Sequence, residues 1–251
     1  MRLDLNADLG EADSLEQSHD ALVMDHITSA NVSCGRHAGN LEVMRRTVQL
    51  CRDAGVVIGA HPGYADRANF GRVSVPMSRE ALYDELSDQI TALLTVAAEE
   101  GAVVRYVKPH GALYHDASAD PEIAEVVLSA VAAIDPRLSV LHPPGALFGQ
   151  LAPSAGLSGH LEGFADRAYL PDGTLVPRTR PDAMVTDVSE MGDRAVRMAT
   201  DGTVIAVDGT VLELRVESVC LHGDSPSSVR AAGRIASRLR DAGVQLKAFA
   251  S

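Results

Sequence analysis

The sequence predicts a single α/β domain in which β-strands alternate with helices. Seven largely apolar segments recur along the chain, each followed by a Gly, Pro or Asx break and then by a helical pattern. The predicted strands cover residues 3–9, 28–33, 56–60, 103–108, 138–142, 159–164 and 217–222. A length of 251 residues is common for a single α/β barrel, so residues 1–251 are expected to form one domain.

Three helices are predicted from their start signals and apolar stripes. Asp120-Pro121-Glu122 supplies a cap, a proline at the first helical position and early negative charge. Ser225-Pro226 repeats this signal before the last helix, after which residues 244–249 can close the sheet. Ser78 caps a third helix, whose apolar face carries Leu82, Leu86, Ile90, Leu93 and Ala97.

Two segments interrupt the alternation of strands and helices. Residues 203–214 contain the runs TVIAV and TVLEL on either side of Asp208-Gly209, which predicts a β-hairpin. Residues 166–183 are rich in Arg, Pro and Asp and have little periodicity. They predict a long loop, and loops of this length often cover a functional site.

Composition and charge argue against several classes of partner. The net charge of −12 and an aromatic content of 4% without Trp disfavour binding to nucleic acid or anionic lipid. The first residues lack the apolar core of a signal peptide, and no apolar run reaches membrane-spanning length. Three cysteines, odd in number and without a C-x-x-C pair, are typical of reduced thiols in a cytoplasm.

Chemically useful residues follow every predicted strand. The carboxyl ends of parallel strands converge on one face of an α/β fold, so these residues are expected to meet. Six of the nine histidines fall in these short windows, which a random surface distribution would not produce. In chain order the residues are Asn6, Asp8 and Glu11; His37 and Asn40; His61 and Asp66; Lys108, His110 and His115; His142; Asp166 and Arg167; His222 and Asp224.

The first strand and two glycine-flanked histidines suggest a metal site. Asn6 and Asp8 have the period of two that places both on one side of a strand, where a buried carboxylate needs a metal, a cation or several donors. Asp8, His37 and His61 would form a two-histidine, one-carboxylate site, although no short ligand spacing supports it. Glu11 is either a base or the first-turn acid of a helix that begins near Ser14.

The segment VKPHGALYH carries the next candidates. Lys108 ends an apolar strand, and Pro109 turns the chain so that His110 is presented. A desolvated Lys108 can act as a base or polarise a carbonyl, and His110 can carry protons near neutral pH. The alternative is a structural lysine tied to the carboxylate of Asp8 or Glu11.

The remaining candidates have the character of substrate-binding groups. Arg167, beside Asp166, can hold a carboxylate through its guanidinium fork. Asp66 and Arg72 follow the turn after His61. Two further residues, His222 and Asp224, form either an acid–base pair or an outer support, although Asp224 equally precedes the Ser225 cap. Neither a G-x-S-x-G elbow nor a G-x-x-x-x-G-K-[ST] phosphate loop occurs in the sequence.

Six ordered motifs resemble the LamB/YcsF family, whose members are known as the A subunits of 5-oxoprolinases. The motifs are LDLNADLGE, SANVSCGRHAGN, IGAHPGYADRANFGR, VKPHGALYH, EGFADRAY and VCLHGD. The resemblance implies a seven-stranded, irregular β/α barrel similar to the NodB-like polysaccharide deacetylases. It also implies a hydrolase that opens the lactam of 5-oxoproline to glutamate, with ATP and two partner subunits, B and C. Because a phosphate loop is absent, nucleotide handling is expected to be shared with, or left to, those partners.

The resemblance also implies roles for the candidate residues. Arg167 or Lys108 would bind the substrate carboxylate or a developing oxyanion, and His110, with Asp8 or Glu11, would steer water or protons. The chain departs from the usual family pattern at Arg36, where an aromatic residue is common, and at Asn40, where an acid is common. It also has Ala12-Asp13-Ser14 after DLGE. These departures weaken a metal or base role beside His37 and put the substrate in question.

Two rival functions fit the same residues. The first is a metal-dependent deacetylase that uses Asp8, His37 and His61 without ATP. The metal content of the purified chain would distinguish this function from that of a 5-oxoprolinase subunit. The second is a non-catalytic subunit that binds a small acid or holds its partners together. That subunit would bind ligand, and turnover would not depend on its histidines.

Overall fold

Seven parallel strands form a closed barrel in the computed structural model, which describes residues 1–222 and 226–250. The barrel order is β1-β2-β3-β4-β5-β6-β9, and β9 pairs back with β1. The strands are β1 (Arg2–Leu9), β2 (Ser29–Ser33), β3 (Val57–His61), β4 (Val104–Val107), β5 (Ser139–His142), β6 (Ser158–Phe164), β7 (Thr203–Ile205), β8 (Val211–Glu213), β9 (Ser218–His222) and β10 (Gln245–Leu246). The seven predicted strands are therefore confirmed.

Closure of the barrel depends on β1, which has a neighbour on each side. It pairs with β2 from Asn6 to Leu9 and with β9 from Asp4 to Asp8. The expectation that residues 244–249 close the sheet is wrong, because β10 adds only two residues beside Arg2 and Leu3.

Eight α-helices surround the barrel in the described part of the chain. They are α1 (Asp20–Val23), α2 (Leu41–Ala54), α3 (Arg79–Glu99), α4 (Gly111–Ala119), α5 (Pro121–Ile134), α6 (Leu147–Leu151), α7 (Val188–Thr200) and α8 (Pro226–Asp241). Two predicted caps are confirmed: the Ser78 side chain accepts from the amide of Ala81, and Asp120 accepts from Glu122 and Ile123. The third, Ser225, lies outside the described residues. None of the described helices is long and apolar enough to cross a membrane.

The two irregular segments also match the sequence prediction. β7 and β8 form an antiparallel hairpin around Asp208-Gly209, in which Ile205 lies opposite Val211. Residues 166–183 contain no regular helix or strand and are held by isolated bridges, Arg167 with Met184 and Tyr169 with Leu175.

A tyrosine fills the barrel interior beside a glycine of β3. A Cβ atom on Gly59 would lie 2.2 Å from the Tyr106 ring, so only glycine fits there. The Tyr106 hydroxyl donates to Asn31 Oδ1 at 2.6 Å, which fixes both side chains. Close backbone approach at Gly59 is thus what allows an aromatic ring inside a narrow barrel.

We expect Gly59→Ala to lower the free energy of unfolding by about 1–3 kcal/mol or more, because the methyl group overpacks the Tyr106 ring. Gly163→Ala in β6 is the matched control, since its Cβ would meet the Met198 sulfur at 3.1 Å and that flexible side chain can move. Chemical denaturation measures both. A Gly59→Ala chain as stable as the Gly163→Ala chain would show that the interior is not packed in this way.

Candidate functional site

A cavity of about 520 Å³ opens at the carboxyl ends of the barrel strands. Strand-end residues contribute Asp8, His61, Lys108 and His110 to its lining. Loop residues add a strongly basic set, namely Arg72, Arg167 and Arg178. Residues that are far apart in the sequence thus meet in one pocket, as the strand-end pattern predicted.

Three histidines and a glutamate form a compact cluster beside this cavity. Each of Glu11, His37, His61 and His110 offers a ligand atom, and these four atoms all lie within 4.8 Å of one another. The His37 and His110 rings are stacked, with centroids 3.7 Å apart and an interplanar angle of 2°. His37 Nε2 lies 3.3 Å from Glu11 Oε1. Glu11 therefore belongs to the histidine cluster and not to the first turn of a helix.

Backbone carbonyls fix the protons on two of these rings. His61 Nδ1 lies 2.7 Å from the carbonyl oxygen of Lys108, and His110 Nε2 lies 2.8 Å from that of Phe70. Since a carbonyl only accepts, both nitrogens must carry hydrogen. The other two nitrogens, His61 Nε2 and His110 Nδ1, face each other at 3.0 Å. In neutral rings both would present lone pairs, so a positive charge between them, a proton or a metal ion, resolves the repulsion.

Burial keeps at least two rings of the cluster neutral. It lowers the pKa of His37 and of His110 well below the usual range, and the other histidines lower both further. His37 Nδ1 is buried and has no hydrogen-bond partner among the described residues. Neutral imidazoles with available lone pairs are metal ligands or bases, not fixed cations.

Glycines bring the backbone close to the stacked rings. A Cβ atom on Gly71 would lie 2.7 Å from His37 Cβ, and one on Gly63 would lie 3.1 Å from His37 Nδ1. Phe70, which supplies the carbonyl to His110, has a φ of 56°, in the left-handed region. The segment after β3 can therefore wrap tightly over the cluster, which explains its glycine content.

Lys108 lies in the barrel mouth between two carboxylates. Its ammonium group is 3.0 Å from Asp8 Oδ1, 3.0 Å from Glu162 Oε1 and 3.1 Å from Cys220 Sγ. Burial alone would lower the pKa of Lys108, but the neighbouring negative charges, Asp8 first, outweigh it and hold the pKa well above the usual range. Lys108 is therefore a charged ammonium group that pairs with Asp8, as expected for a structural lysine. Its second carboxylate partner is Glu162 and not Glu11.

Asp8 connects the lysine to the histidine cluster. Its Oδ1 accepts hydrogen bonds from Lys108 and, at 2.7 Å, from Asn31, while its Oδ2 lies 3.4 Å from His61 Nε2. The carboxylate is only 5% exposed, so these partners and not solvent neutralise it. Asp8 is not one of the four clustered ligand groups, although it touches one of them.

Sequence reasoning missed Glu162, because the residue lies inside β6 and not after it. Its carboxylate is fully buried and accepts from Asn6 Nδ2 at 2.9 Å and from the Tyr114 hydroxyl at 2.9 Å, besides pairing with Lys108. An acidic residue in the middle of a buried strand is a signal that could have revealed it, since an isolated carboxylate there would be costly. Asn6 thus supports Glu162 from beneath and does not line the cavity.

Deeper in the barrel, Asp4 is a second unpredicted acid. Burial raises the pKa of Asp4 from 3.8 to about 6, and this outweighs the hydrogen bonds from Ser218, Thr28 and Ser29 that lower it. The folded state holds the Asp4 proton more tightly than the unfolded chain. This contribution to stability is therefore fully present below about pH 4 and is lost as pH rises through about 6.

We expect the loss of the Asp4 proton to lower the free energy of unfolding by about 3 kcal/mol when the pH is raised from about 4 to about 7. The Asp4→Asn chain lacks this titration, so its stability should change less over the same interval. Denaturation at several pH values measures the difference, with the exposed Asp84→Asn as the control. Parallel pH profiles for Asp4→Asn and the wild type would contradict the assignment.

Arg167 is a buried basic group in the loop wall of the cavity. It is 4% exposed, its Nη2 donates to the Val176 carbonyl at 2.7 Å, and its Nε has no partner among the described residues. Burial, followed by the positive charge of Arg178, lowers the pKa of Arg167 to about 10. A buried guanidinium beside further cations favours an anionic ligand.

Other predicted residues lie outside the cavity lining. The Asp66 side chain caps the 3-10 helix Arg67–Asn69, and Asp166 and His142 are buried at their strand ends without lining the cavity. Arg72 does line it, with its guanidinium 4.8 Å from the Phe70 ring centroid. Asp224 and the side chain of His222 lie outside the described residues.

Two of the departures from the family pattern, Asn40 and Arg36, have local structural roles. Asn40 caps α2, since its Oδ1 accepts from the amides of Glu42 and Val43. Arg36 pairs with Glu85 of α3 at 2.9 Å. Neither residue lines the main cavity, so the histidine cluster is built without them.

The fold and the site define a closed β/α-barrel protein with an acid–base pocket at the carboxyl ends of its strands, the usual place for a barrel active site. The chain belongs to the LamB/YcsF family, whose family model matches residues 3–251. The resemblance carried by the six motifs is thereby confirmed.

Relatives and solved structures agree with this membership. A Nocardia farcinica protein, named as the A subunit of 5-oxoprolinase, is 46% identical over 250 residues, which cover 99% of this chain and 100% of that protein. The crystal structure of the lactam utilization protein from Thermus thermophilus matches with a TM-score of 0.93 and 39% identity, over 99% of this chain and 100% of that one. A Bacillus cereus polysaccharide deacetylase, 13% identical with a TM-score of 0.53, covers 99% of this chain and 91% of its own, and shares the fold.

Proposed function

We propose that this chain is the lactam-opening component of an ATP-dependent 5-oxoprolinase. It would act with two partner subunits, B and C, to convert 5-oxo-L-proline to L-glutamate, with ATP as co-substrate of the complex. The names of the relatives and of the Thermus thermophilus structure support a cyclic amide as substrate. Three free, buried cysteines support a cytoplasmic site for this reaction.

The observation that carries the proposal is the meeting of two kinds of group in one cavity. Lys108 contributes a buried positive charge, and the His61–His110 pair contributes ring nitrogens with free lone pairs, with Asp8 in contact with Lys108 and with His61. Hydrolysis of an amide needs both functions, since charge develops on the carbonyl oxygen while a proton leaves the attacking water.

Substrate orientation follows from the charges of the lining. The carboxylate of 5-oxoproline would pair with Arg167, with Arg72 as the second cation of the loop wall. Its lactam carbonyl would then lie toward Lys108, where the ammonium can exchange its Cys220 contact for the oxygen.

The histidine cluster fits a divalent metal ion. Two nitrogens that bind one tetrahedral ion at about 2.1 Å lie about 3.4 Å apart, and His61 Nε2 and His110 Nδ1 are 3.0 Å apart, close to that separation. His37 and Glu11 complete the set, whereas the predicted third ligand, Asp8, contacts the cluster through His61. Three imidazoles and one carboxylate favour a transition metal such as zinc. A bound metal would act as a Lewis acid toward the lactam carbonyl or a water molecule.

The chain's own residues position the reacting groups. Glu11 would accept a proton from water at the edge of the cluster. Its carboxylate contacts His37 and lies 3.6 Å from His110 Nδ1. The Phe70 and Lys108 carbonyls keep the ring protons away from the cluster centre, so the lone pairs stay directed inward. Asp8 stabilises any positive charge that forms on His61.

Reconstitution tests the proposed function directly. The chain is mixed with purified B and C subunits, 5-oxoproline and ATP, and glutamate is measured, with one component omitted in turn. We expect glutamate only when this chain and ATP are both present. Absence of product with well-folded subunits would contradict the function.

A further inference from the structure

Asn31 lies in the barrel interior beside Asp8, and its side chain makes three hydrogen bonds there. The two residues are opposite each other in the pairing of β1 with β2, and Asn31 is fully buried. Its Nδ2 donates to Asp8 Oδ1 at 2.7 Å and to Asn6 Oδ1 at 2.6 Å, and its Oδ1 accepts from the Tyr106 hydroxyl at 2.6 Å. Asn31 does not line the cavity, so any effect that it has on a reaction passes through its neighbours.

The partners of Asn31 fix the direction of its amide. The Asp8 carboxylate pairs with Lys108 and only accepts hydrogen bonds, so the group beside it must be the NH2 of Asn31 and not the oxygen. Burial raises the pKa of Tyr106 well above its usual range, so this hydroxyl keeps its proton and donates it to Asn31 Oδ1. Both amide hydrogens and the amide oxygen are therefore used. Neither aspartate, which has no donor when ionised, nor serine, which has one, could make the same three bonds.

Tyr106 and Asn6 hold the Asn31 side chain from two sides. The Tyr106 ring packs against the backbone of Gly59, where even a Cβ atom would lie 2.2 Å from the ring. Asn6 is also fully buried, and it donates in turn to the Ser218 hydroxyl at 2.7 Å. A side chain that is held by packing and by fully bonded neighbours keeps its place, as is required of a group that orients a carboxylate in a reactive site.

The hydrogen bond from Asn31 determines the orientation of the Asp8 carboxylate. A carboxylate rotates readily about its last bond, because that torsion has only broad, twofold preferences. Asn31 and Lys108 both donate to Oδ1, at 2.7 and 3.0 Å, and Oδ2 is thereby held 3.4 Å from His61 Nε2. The Lys108 ammonium alone does not fix this plane, because it is a compact charge on a flexible stem. Asn31 therefore holds the carboxylate so that one oxygen faces the lysine while the other faces the histidine.

We infer that Asn31 is a positioning residue for lactam opening, which holds Asp8 in the plane where it contacts Lys108 and His61 at the same time. The inference rests on the proposed function, in which Lys108 faces the lactam carbonyl and Asp8 stabilises positive charge on His61. Because Asn31 acts through Asp8 and does not line the cavity, loss of its amide slows turnover without weakening substrate binding.

Two measurements on the Asn31→Ala chain test the inference: the kinetics of the enzyme reconstituted with B and C subunits, and the crystal structure of the variant chain. The kcat per folded chain should fall about 10- to 100-fold, as for the loss of an outer support, whereas KM should stay within about twofold of the wild type. In the crystal structure, the Asp8 carboxylate should turn, so that the separation of Oδ2 from His61 Nε2 changes by more than about 0.5 Å.

Ser29→Ala is the matched control for Asn31→Ala. Ser29 lies two residues earlier on the same face of β2, is equally buried, and donates to Asp4 Oδ1 at 2.7 Å, deeper in the barrel. Its removal also breaks a buried hydrogen bond, so a purely structural role for Asn31 would give both variants the same kcat. We expect Ser29→Ala to keep the wild-type kcat and KM.

Tyr106→Phe provides the test if Asn31→Ala does not fold. This variant keeps the ring beside Gly59 and removes only the hydroxyl that donates to Asn31 Oδ1. Its kcat should also fall, by less than that of Asn31→Ala, with KM unchanged. A Tyr106→Phe chain with wild-type kcat and an unmoved Asp8 carboxylate would contradict the inference.

The outcomes separate the positioning role of Asn31 from the proposed function. An Asp8 carboxylate that stays in place in the Asn31→Ala crystal structure overturns the positioning role, whatever the activity. Equal kcat values for Asn31→Ala and Ser29→Ala also overturn it and leave the function standing. A wild-type mixture that forms no glutamate contradicts the function, and a turned Asp8 carboxylate in the variant crystal would then still support Asn31 as the residue that orients it.

Discussion

Replacing Lys108 by Met should reduce glutamate formation by the reconstituted enzyme about 10²- to 10³-fold or more. The substitution removes the positive charge that we place against the lactam carbonyl. It also leaves the buried carboxylates of Asp8 and Glu162 without their cation, which should lower the free energy of unfolding by about 3–5 kcal/mol. Loss of activity alone would therefore be ambiguous.

A second substitution separates the two effects of Lys108→Met. Adding Glu162→Gln removes one uncompensated charge and keeps one amide oxygen as acceptor for Asn6 Nδ2, while the Tyr114 hydroxyl can turn to accept from the new amide NH2, so part of the lost stability should return. Activity should remain low, because the ammonium group is still missing. A Lys108→Met/Glu162→Gln chain with wild-type turnover would remove Lys108 from the mechanism.

The second large effect is expected for His110→Ala. The ring supplies one of the two opposed lone pairs and stacks on His37, so its loss should weaken divalent-metal binding at least about 100-fold, more than the loss of an outer support. Turnover should fall about 10²- to 10⁴-fold, as for the loss of an acid–base group. Metal content, the visible spectrum of the cobalt-loaded chain and glutamate formation are the three measurements.

A histidine at the other end of the barrel provides the control. His160 lies near the start of β6 and pairs with Glu217 at 3.0 Å, away from the cluster. His160→Ala should keep both metal binding and turnover. A wild-type chain that binds no divalent metal, together with an inactive His110→Ala chain, would assign the charge between His61 and His110 to a proton.

The fold was largely predictable because local signals agree with one another. Strands, caps and the Asp208-Gly209 turn each depend on residues close in sequence, and the structure confirms them. Residues 244–249 were misjudged because the sequence cannot say which strand closes a barrel. That choice depends on which strand pairs with the second edge of β1. β9 pairs with this edge from Asp4 to Asp8, so β10 pairs only with Arg2 and Leu3.

The candidate site was predictable only where polar residues follow strands. His37, His61, Lys108 and His110 lie at strand ends, and the structure brings them together. Glu162 could not be found in this way, because its partners lie on β1, on α4 and just after β4 and are assembled only when the barrel closes. The pairing of each carboxylate with its cation is determined only once the barrel has closed, so no single segment of the sequence predicts it.

The most direct test of the central claim, that lactam opening occurs at Lys108 and the histidine cluster, is a coupled assay. Glutamate and ADP are measured together in mixtures of B and C subunits with either the wild-type chain or the His110→Ala chain. The wild type should yield both products in step, whereas His110→Ala should assemble normally and yield almost no glutamate. Wild-type glutamate formation by an assembled His110→Ala complex would place the chemistry elsewhere.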